Sequence, residues 1–211
     1  MDQAPTIHVV DDDPSFQVAI ARLLRATHYE VRTYGSAGDF LLRPPQDAPG
    51  CILLDLRLPG PSGLALQEAL ASRPDTLPII FLSGHADVPA TVQAMKAGAV
   101  DFLTKPVKRE ALLDAIQRAL ARDGKARAAR ERLNAWRERY ISLTPREIEV
   151  LERVVSGKMN KEIAGELGAS ERTIKAHRAQ VMQKMNVVSV AELVRIADAV
   201  RGSAPPGPPR A

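Results

Sequence analysis

Five short runs of β-branched and aliphatic residues, alternating with stretches of helical periodicity, constrain this chain more than any other feature. The runs are Thr6–Val10, Glu30–Tyr34, Gly50–Leu54, Pro78–Leu82 and Asp101–Thr104. Between them, Ser15–Arg25 sets Phe16, Ile20, Leu23 and Leu24 on one stripe, Leu64–Leu70 repeats leucine at 64, 66 and 70, and Val88–Ala97 and Arg109–Ala121 behave similarly. The pattern predicts an α/β fold, a doubly wound five-stranded parallel sheet, in which ligands lie beyond the carboxyl ends of the strands.

Four of those five ends carry reactive polar residues. The first run stops at Asp11, Asp12 and Asp13, the third at Asp55, the fourth at Ser83, and the fifth at Lys105-Pro106. Each alone has a plain structural explanation: a helix cap, a turn residue, a loop serine, a surface lysine. Their joint placement argues instead for one pocket. Clustered carboxylates repel and call for a cation, and an all-oxygen ligand set favours Mg²⁺ over zinc or copper. A carboxylate beside Mg²⁺, a hydroxyl and an ammonium suits a phosphoryl acceptor. Asp55 would be the nucleophile, the metal and Lys105 would neutralise phosphate oxygens, and Ser83 would bond another.

Charge divides the chain. Residues 1–122 hold 12 Lys+Arg against 14 Asp+Glu, whereas residues 123–211 hold 17 against 11, so any polyanionic partner belongs to the second half. No apolar run approaches the ~20 residues of a membrane-spanning helix. The start, MDQAPTIHVVDDD, lacks the features of a secretory signal, so a cytoplasmic protein without membrane contact is expected. The single cysteine, Cys51, excludes an internal disulfide or a cysteine-based zinc site, and its CILL context predicts a buried thiol.

Residues 122–137 read as a helical linker in which Gly124 would break, kink or merely weaken the helix. Its basic residues fit a solvated connector better than a DNA contact, and Trp136 is expected to pack against the following domain. A small all-α four-helix domain follows over 138–201. Thr144-Pro145-Arg146-Glu147 forms a capping box, and Gly157 ends that helix. Asn160 is expected to cap the second helix, Gly168 to stop it, and Ser170 to cap a third reaching about Met185. A fourth spans Ser189–Ala199. Two short helices joined by a tight glycine turn form a helix-turn-helix. On the third, Arg172, Lys175, Ala176, Ala179 and Gln183 lie opposite the apolar face of Ile174, Val181 and Met185, a mix suited to bases and phosphates. The tail, 202–211, with four prolines and two glycines in RGSAPPGPPRA, is expected to be disordered.

The segments VVDDDP, LLDLRLPGPSGL and IIFLSGHADVPATVQAMKAGAVDFLTKP resemble the receiver domain of two-component response regulators, over about residues 5–121. LTPREIEVL and GKMNKEIAGELGASERTIKAHRAQVMQKMNVVSVAELV resemble the LuxR-type DNA-binding domain. Together they resemble the FixJ/NarL family, and within it the FixJ-like subgroup. The resemblance implies a flavodoxin-like receiver in which Asp11, Asp12, Asp55 and the backbone carbonyl of Arg57 hold Mg²⁺. It further implies Asp55 as phosphoacceptor, Ser83 as switch hydroxyl, Phe102 as switch aromatic, Lys105 as phosphate-binding lysine, and a cis peptide before Pro106. His85 and Arg57 would flank the pocket. Lys161, Thr173, Lys175 and His177 are expected at DNA. The implied partners are a histidine kinase, promoter DNA and, on phosphorylation, a second copy. That copy would pair through Val92, Met95, Lys96 and Val100–Thr104 of the receiver and through the fourth helix of the DNA-binding domain. The resemblance also allows RNA polymerase as a partner.

The resemblance implies a transcriptional regulator rather than an enzyme, apart from help with its own phosphoryl transfer and autodephosphorylation. Two other readings compete. A haloacid-dehalogenase-type phosphatase needs an acid/base carboxylate two residues after its nucleophile, where this chain has Arg57. A regulator indifferent to phosphate would have lost the acidic pocket, whose expected residues are all present.

Overall fold

The computed structural model describes residues 4–45, 48–73, 75–84 and 88–202. The chain divides into two compact units, Met1–Arg127 and Ala128–Ala211. In the first, strands β1 (Thr6–Val10), β2 (Glu30–Tyr34), β3 (Gly50–Asp55), β4 (Ile79–Ser83) and β5 (Asp101–Thr104) form one parallel sheet in the order β2-β1-β3-β4-β5. Helices α1 (Pro14–Arg25), α2 (Ala37–Leu42), α3 (Gly63–Ala71), α4 (Val88–Lys96) and α5 (Arg109–Ile141) alternate with the strands. The strand order reverses direction at β1 and β3, so the crevice at their carboxyl ends is where such a sheet binds ligands.

Because side chains alternate across a strand, the sheet feeds two apolar layers. Ile7, Val9, Cys51, Leu53, Ile80 and Leu82 pack with Ile20 and Leu24 of α1 and Leu112 and Ile116 of α5. Val10, Ile52, Leu54 and Phe81 pack on the other face with Phe40, Leu66, Leu70 and Ala94. All six residues of β3 are buried. Cys51 lies in the core as expected, and burial pushes its thiol pKa up.

Helix α2 has no counterpart among the predicted elements. Its six residues, AGDFLL, are too few to display a period, and it is marked mainly by Ser36, whose hydroxyl accepts the Asp39 N–H at 3.0 Å. Helix α5 is continuous through Gly124. One residue earlier, the buried Asp123 carboxylate accepts the Gly50 N–H (3.1 Å) and the Arg127 Nε–H (2.8 Å), and Arg127 also donates to the Ala48 carbonyl. These bonds tie the helix to the start of β3 on both sides of the glycine.

The second unit carries the end of α5 and helices α6 (Pro145–Val155), α7 (Asn160–Leu167), α8 (Glu171–Met185) and α9 (Val190–Gly202). Val150, Leu151, Ile163, Ile174, Val181, Met185, Leu193 and Ile196 make its core, with Trp136 and Tyr140 against it. The Thr144–Glu147 capping box forms, Gly157 adopts φ 86° beyond α6, and Ser170 caps α8 by accepting the Thr173 N–H at 3.1 Å. The expectation for Asn160 is corrected. Met159 occupies the cap position, its N–H bonded to the Glu162 carboxylate at 2.7 Å. The Asn160 amide oxygen instead accepts from Arg178 of α8 at 2.7 Å. The tail from 203 lies outside the described residues.

Candidate functional site

At the sheet's carboxyl edge the three aspartates after β1 divide their work. Asp13 caps α1, its carboxylate accepting the N–H groups of Ser15 (2.8 Å) and Phe16 (3.3 Å). Asp11 and Asp12 are left for the crevice, where carboxylate oxygens of Asp11, Asp12 and Asp55 lie within 4.8 Å of one another. Asp11 is fully buried, and desolvation raises its pKa despite the bonds from Lys105 and the Asp13 N–H. Asp12 is exposed, and the Asp55 side chain is nearly buried. A cluster of oxygen donors, part buried and part open to solvent, fits a hard divalent cation.

Lys105 enters from the end of β5, its backbone N–H bonded to the Ser83 carbonyl at 2.7 Å, so the last residues of β4 and β5 are tied together. Its ammonium lies 2.5 Å from Asp11 and 2.6 Å from Asp55. Burial works against that charge, but the bonds and fields of the two carboxylates outweigh it and raise the lysine pKa. The other Asp55 oxygen accepts the Arg57 N–H at 2.8 Å. Ser83 is buried at the end of β4, and the Lys105-Pro106 peptide is cis. Phe102, half-buried, stacks on Phe81 at 6.1 Å between centroids. The structure thus brings Asp11, Asp12, Asp55 and Lys105 together, with Ser83 on the neighbouring strand end. Arg57 is exposed at the rim, and His85 lies outside the described residues.

In the second unit Gly168, with φ 60°, turns the chain between α7 and α8. Lys161, Arg172, Thr173, Lys175, Ala176, Ala179 and Gln183 are all exposed. His177 is half-buried, and its Nδ1 has no hydrogen-bond partner among the described residues. The carboxyl end of α8 is held by Arg139, which donates to the Met185 carbonyl at 3.4 Å. Lys184 holds it as well, 2.6 Å from the buried Glu147. That lysine keeps the Glu147 carboxyl below its ordinary range.

Residues 7–117 match the response regulator receiver domain family, and residues 141–197 match the luxR family of bacterial regulatory proteins. Nodulation protein W of Bradyrhizobium diazoefficiens is 43% identical over 94% of this chain and 87% of that protein. Response regulator protein TodT of Pseudomonas putida is 43% identical over 96% and 89%. Among solved structures, the response regulator StyR superposes with a TM-score of 0.81 at 46% identity, covering 93% of this chain and 99% of that one. The chain belongs to the two-component response regulators of the FixJ/NarL family. It is a transcription regulator with a receiver domain and a LuxR-type DNA-binding domain. Among the described residues no helix is long and apolar enough to cross a membrane.

Sequence reasoning missed three supports of the receiver pocket. Gln17 of α1 donates to the Asp11 carbonyl (2.6 Å) and the Tyr34 carbonyl (3.0 Å), joining the ends of β1 and β2. Gly63 opens α3 directly under Asp55, where a Cβ would stand 2.2 Å from the Asp55 carbonyl oxygen. Phe16, read as a core residue of α1, faces the Lys105 ammonium at 4.1 Å. Only Gly63 carried a local sequence signal, following Ser62 at a helix start.

Proposed function

We propose that this response regulator accepts a phosphoryl group from a histidine kinase on Asp55 and then binds promoter DNA as a dimer. The observation that carries this reading is the convergence of Asp11, Asp12, Asp55 and Lys105 at the carboxyl ends of β1, β3 and β5. Asp11, Asp12, Asp55 and the Arg57 carbonyl would hold Mg²⁺, which when bound supplies positive charge to phosphoryl oxygens. An Asp55 oxygen attacks phosphorus while the bond from phosphorus to the kinase imidazole breaks and its electron pair returns to nitrogen. Lys105, already against Asp55, neutralises charge that develops on the phosphoryl oxygens. Ser83, buried at the adjacent strand end, bonds one of them. Asp12 is exposed at this pocket, and water reaching the acyl phosphate there would release inorganic phosphate and restore the Asp55 carboxylate, the protein's own dephosphorylation. Arg57, whose backbone rather than side chain meets Asp55, offers no acid for phosphatase turnover. The domains divide as receiver, 5–121, linker, 122–137, and DNA-binding domain, 138–201. At DNA, Lys161, Thr173, Lys175 and His177 make contacts, several to phosphates, and Arg172, Ala176 and Ala179 face the groove. RNA polymerase is a further partner, and the cytoplasm the site of action.

Incubation with Mg²⁺ and acetyl phosphate should add one phosphoryl group at Asp55, mapped by mass spectrometry. Asp55→Asn should abolish it. Equal labelling of that variant overturns the assignment.

A further inference from the structure

Among the described residues the Lys105 ammonium lies against Asp11 at 2.5 Å, Asp55 at 2.6 Å, and the ring of Phe16, whose centroid is 4.1 Å away. An ammonium at that distance over a ring face is drawn to the negative side of its quadrupole. The ring itself is fixed from two directions. Its backbone N–H is bound by the Asp13 carboxylate in the first turn of α1, and its side chain packs on the core between α1, α5 and the sheet. The third aspartate after β1 therefore anchors the residue that faces the lysine.

A lysine has four side-chain torsions, and holding it in one place against that freedom needs contacts on more than one side. Asp11 is also a cation ligand in the proposed function, and a carboxylate shared with a cation grips the ammonium less firmly. The ring is then a larger share of what keeps the charge beside Asp55. We infer that Phe16 is a positioning residue for phosphoryl transfer, its ring holding the Lys105 ammonium over the acceptor carboxylate. This rests on the reading of Asp55 as the acceptor. In transfer from acetyl phosphate, an Asp55 oxygen bonds to phosphorus, the bond from phosphorus to the acetyl oxygen breaks, and acetate leaves with that electron pair. The ammonium keeps its proton throughout and offsets charge on the phosphoryl oxygens.

Ring fluorination separates positioning from packing, because it drains the ring face of negative potential with little change of shape. In the full-length protein, Phe16 is replaced by phenylalanines bearing one, two or three fluorines, alongside Phe16→Leu and Phe16→Trp. The rate of Asp55 labelling by acetyl phosphate with Mg²⁺ is then measured. The rate should fall with each fluorine, by roughly 2- to 10-fold at three, at an unchanged unfolding temperature. Phe16→Leu should behave like the trifluoro form, and Phe16→Trp should retain the rate. An equal rate across the fluorinated series overturns the inference and leaves the ring a packing group. Absence of label from the unsubstituted protein overturns the acceptor reading itself, and this inference with it.

Discussion

Gly63 shows how a single missing Cβ sets the height of the acceptor. Its N–H bonds to the Leu56 carbonyl at 3.1 Å, bringing the start of α3 against the end of β3, and an added methyl would collide with the Asp55 carbonyl oxygen. Backbone cannot swing aside as a flexible side chain can, so Gly63→Ala should destabilise the receiver by about 1–3 kcal/mol. It should also slow labelling of Asp55. Denaturant midpoints and phosphorylation rates measured together test this. A second residue, His8, is buried in mid-strand, its Nδ1 3.0 Å from the Tyr34 hydroxyl and its ring stacked on Tyr34. Burial, reinforced by the Arg32 charge, lowers its pKa from 6.5 to about 4. Between those values the unfolded chain binds a proton that the folded one refuses, so stability falls as pH drops from about 6.5 towards 4. By pH 5 the loss should be about 2 kcal/mol. Urea unfolding of the wild type and His8→Phe at pH 7 and pH 5 measures it, and the substituted protein should lose less over the same interval.

At the scale of elements, long periodic segments and cap residues were legible in sequence, and features decided by tertiary contacts were not. All five strands and the reactive strand ends follow from aliphatic and β-branched composition and from alternation with helical stretches. The central strands of a parallel sheet, buried on both faces, are largely apolar, and their ends are where the reactive polar residues gather. Helix α2 was too short to have a period. Asn160 has the chemistry of a cap, yet Arg178, eighteen positions later, claims its amide oxygen. Gly124 offered three outcomes, and the choice among them rests on Asp123, whose partner Gly50 is 73 residues away. This gives a prediction for α5. Asp123→Ala removes the buried carboxylate that Arg127 bonds and leaves the Gly50 N–H without that bond in the interior, a loss of about 2–4 kcal/mol for a pair with one fully buried member. Asp39→Ala, which breaks the exposed pair with Arg43, should cost less than about 1 kcal/mol. Calorimetry should separate the two variants clearly. Hydrogen exchange should find the Gly50 amide and the turn around Gly124 opened only in the Asp123 variant.

The whole molecule joins an acidic unit to a basic one, and in the proposed function the coupling between them is carried by a difference between two states. Phosphate on Asp55 can shift that balance only through interactions that differ between the states. Val92, Met95 and Lys96 of α4 are exposed, with half-buried Val100 to Leu103 beside them, and Asp101 at that face is paired with Arg118. In the proposed function, movement of Ser83 and Phe102 toward a phosphoryl group on Asp55 would remodel this mixed face, where Val92 and Met95 are exposed beside Lys96 and Asp101, and suit it to a second copy. Two basic domains held as a pair would then meet paired half-sites, and the second contact would be made at high effective concentration. The unphosphorylated protein should therefore sediment largely as a monomer and the beryllofluoride-treated protein as a dimer, with DNA affinity rising over the same protein concentrations. Val92→Glu should hold the treated protein monomeric and remove the gain in affinity, because like charges would oppose each other across a two-fold contact. If DNA affinity rose while sedimentation stayed monomeric, the receiver dimer would not be the link, and release of a restrained DNA-binding domain would take its place.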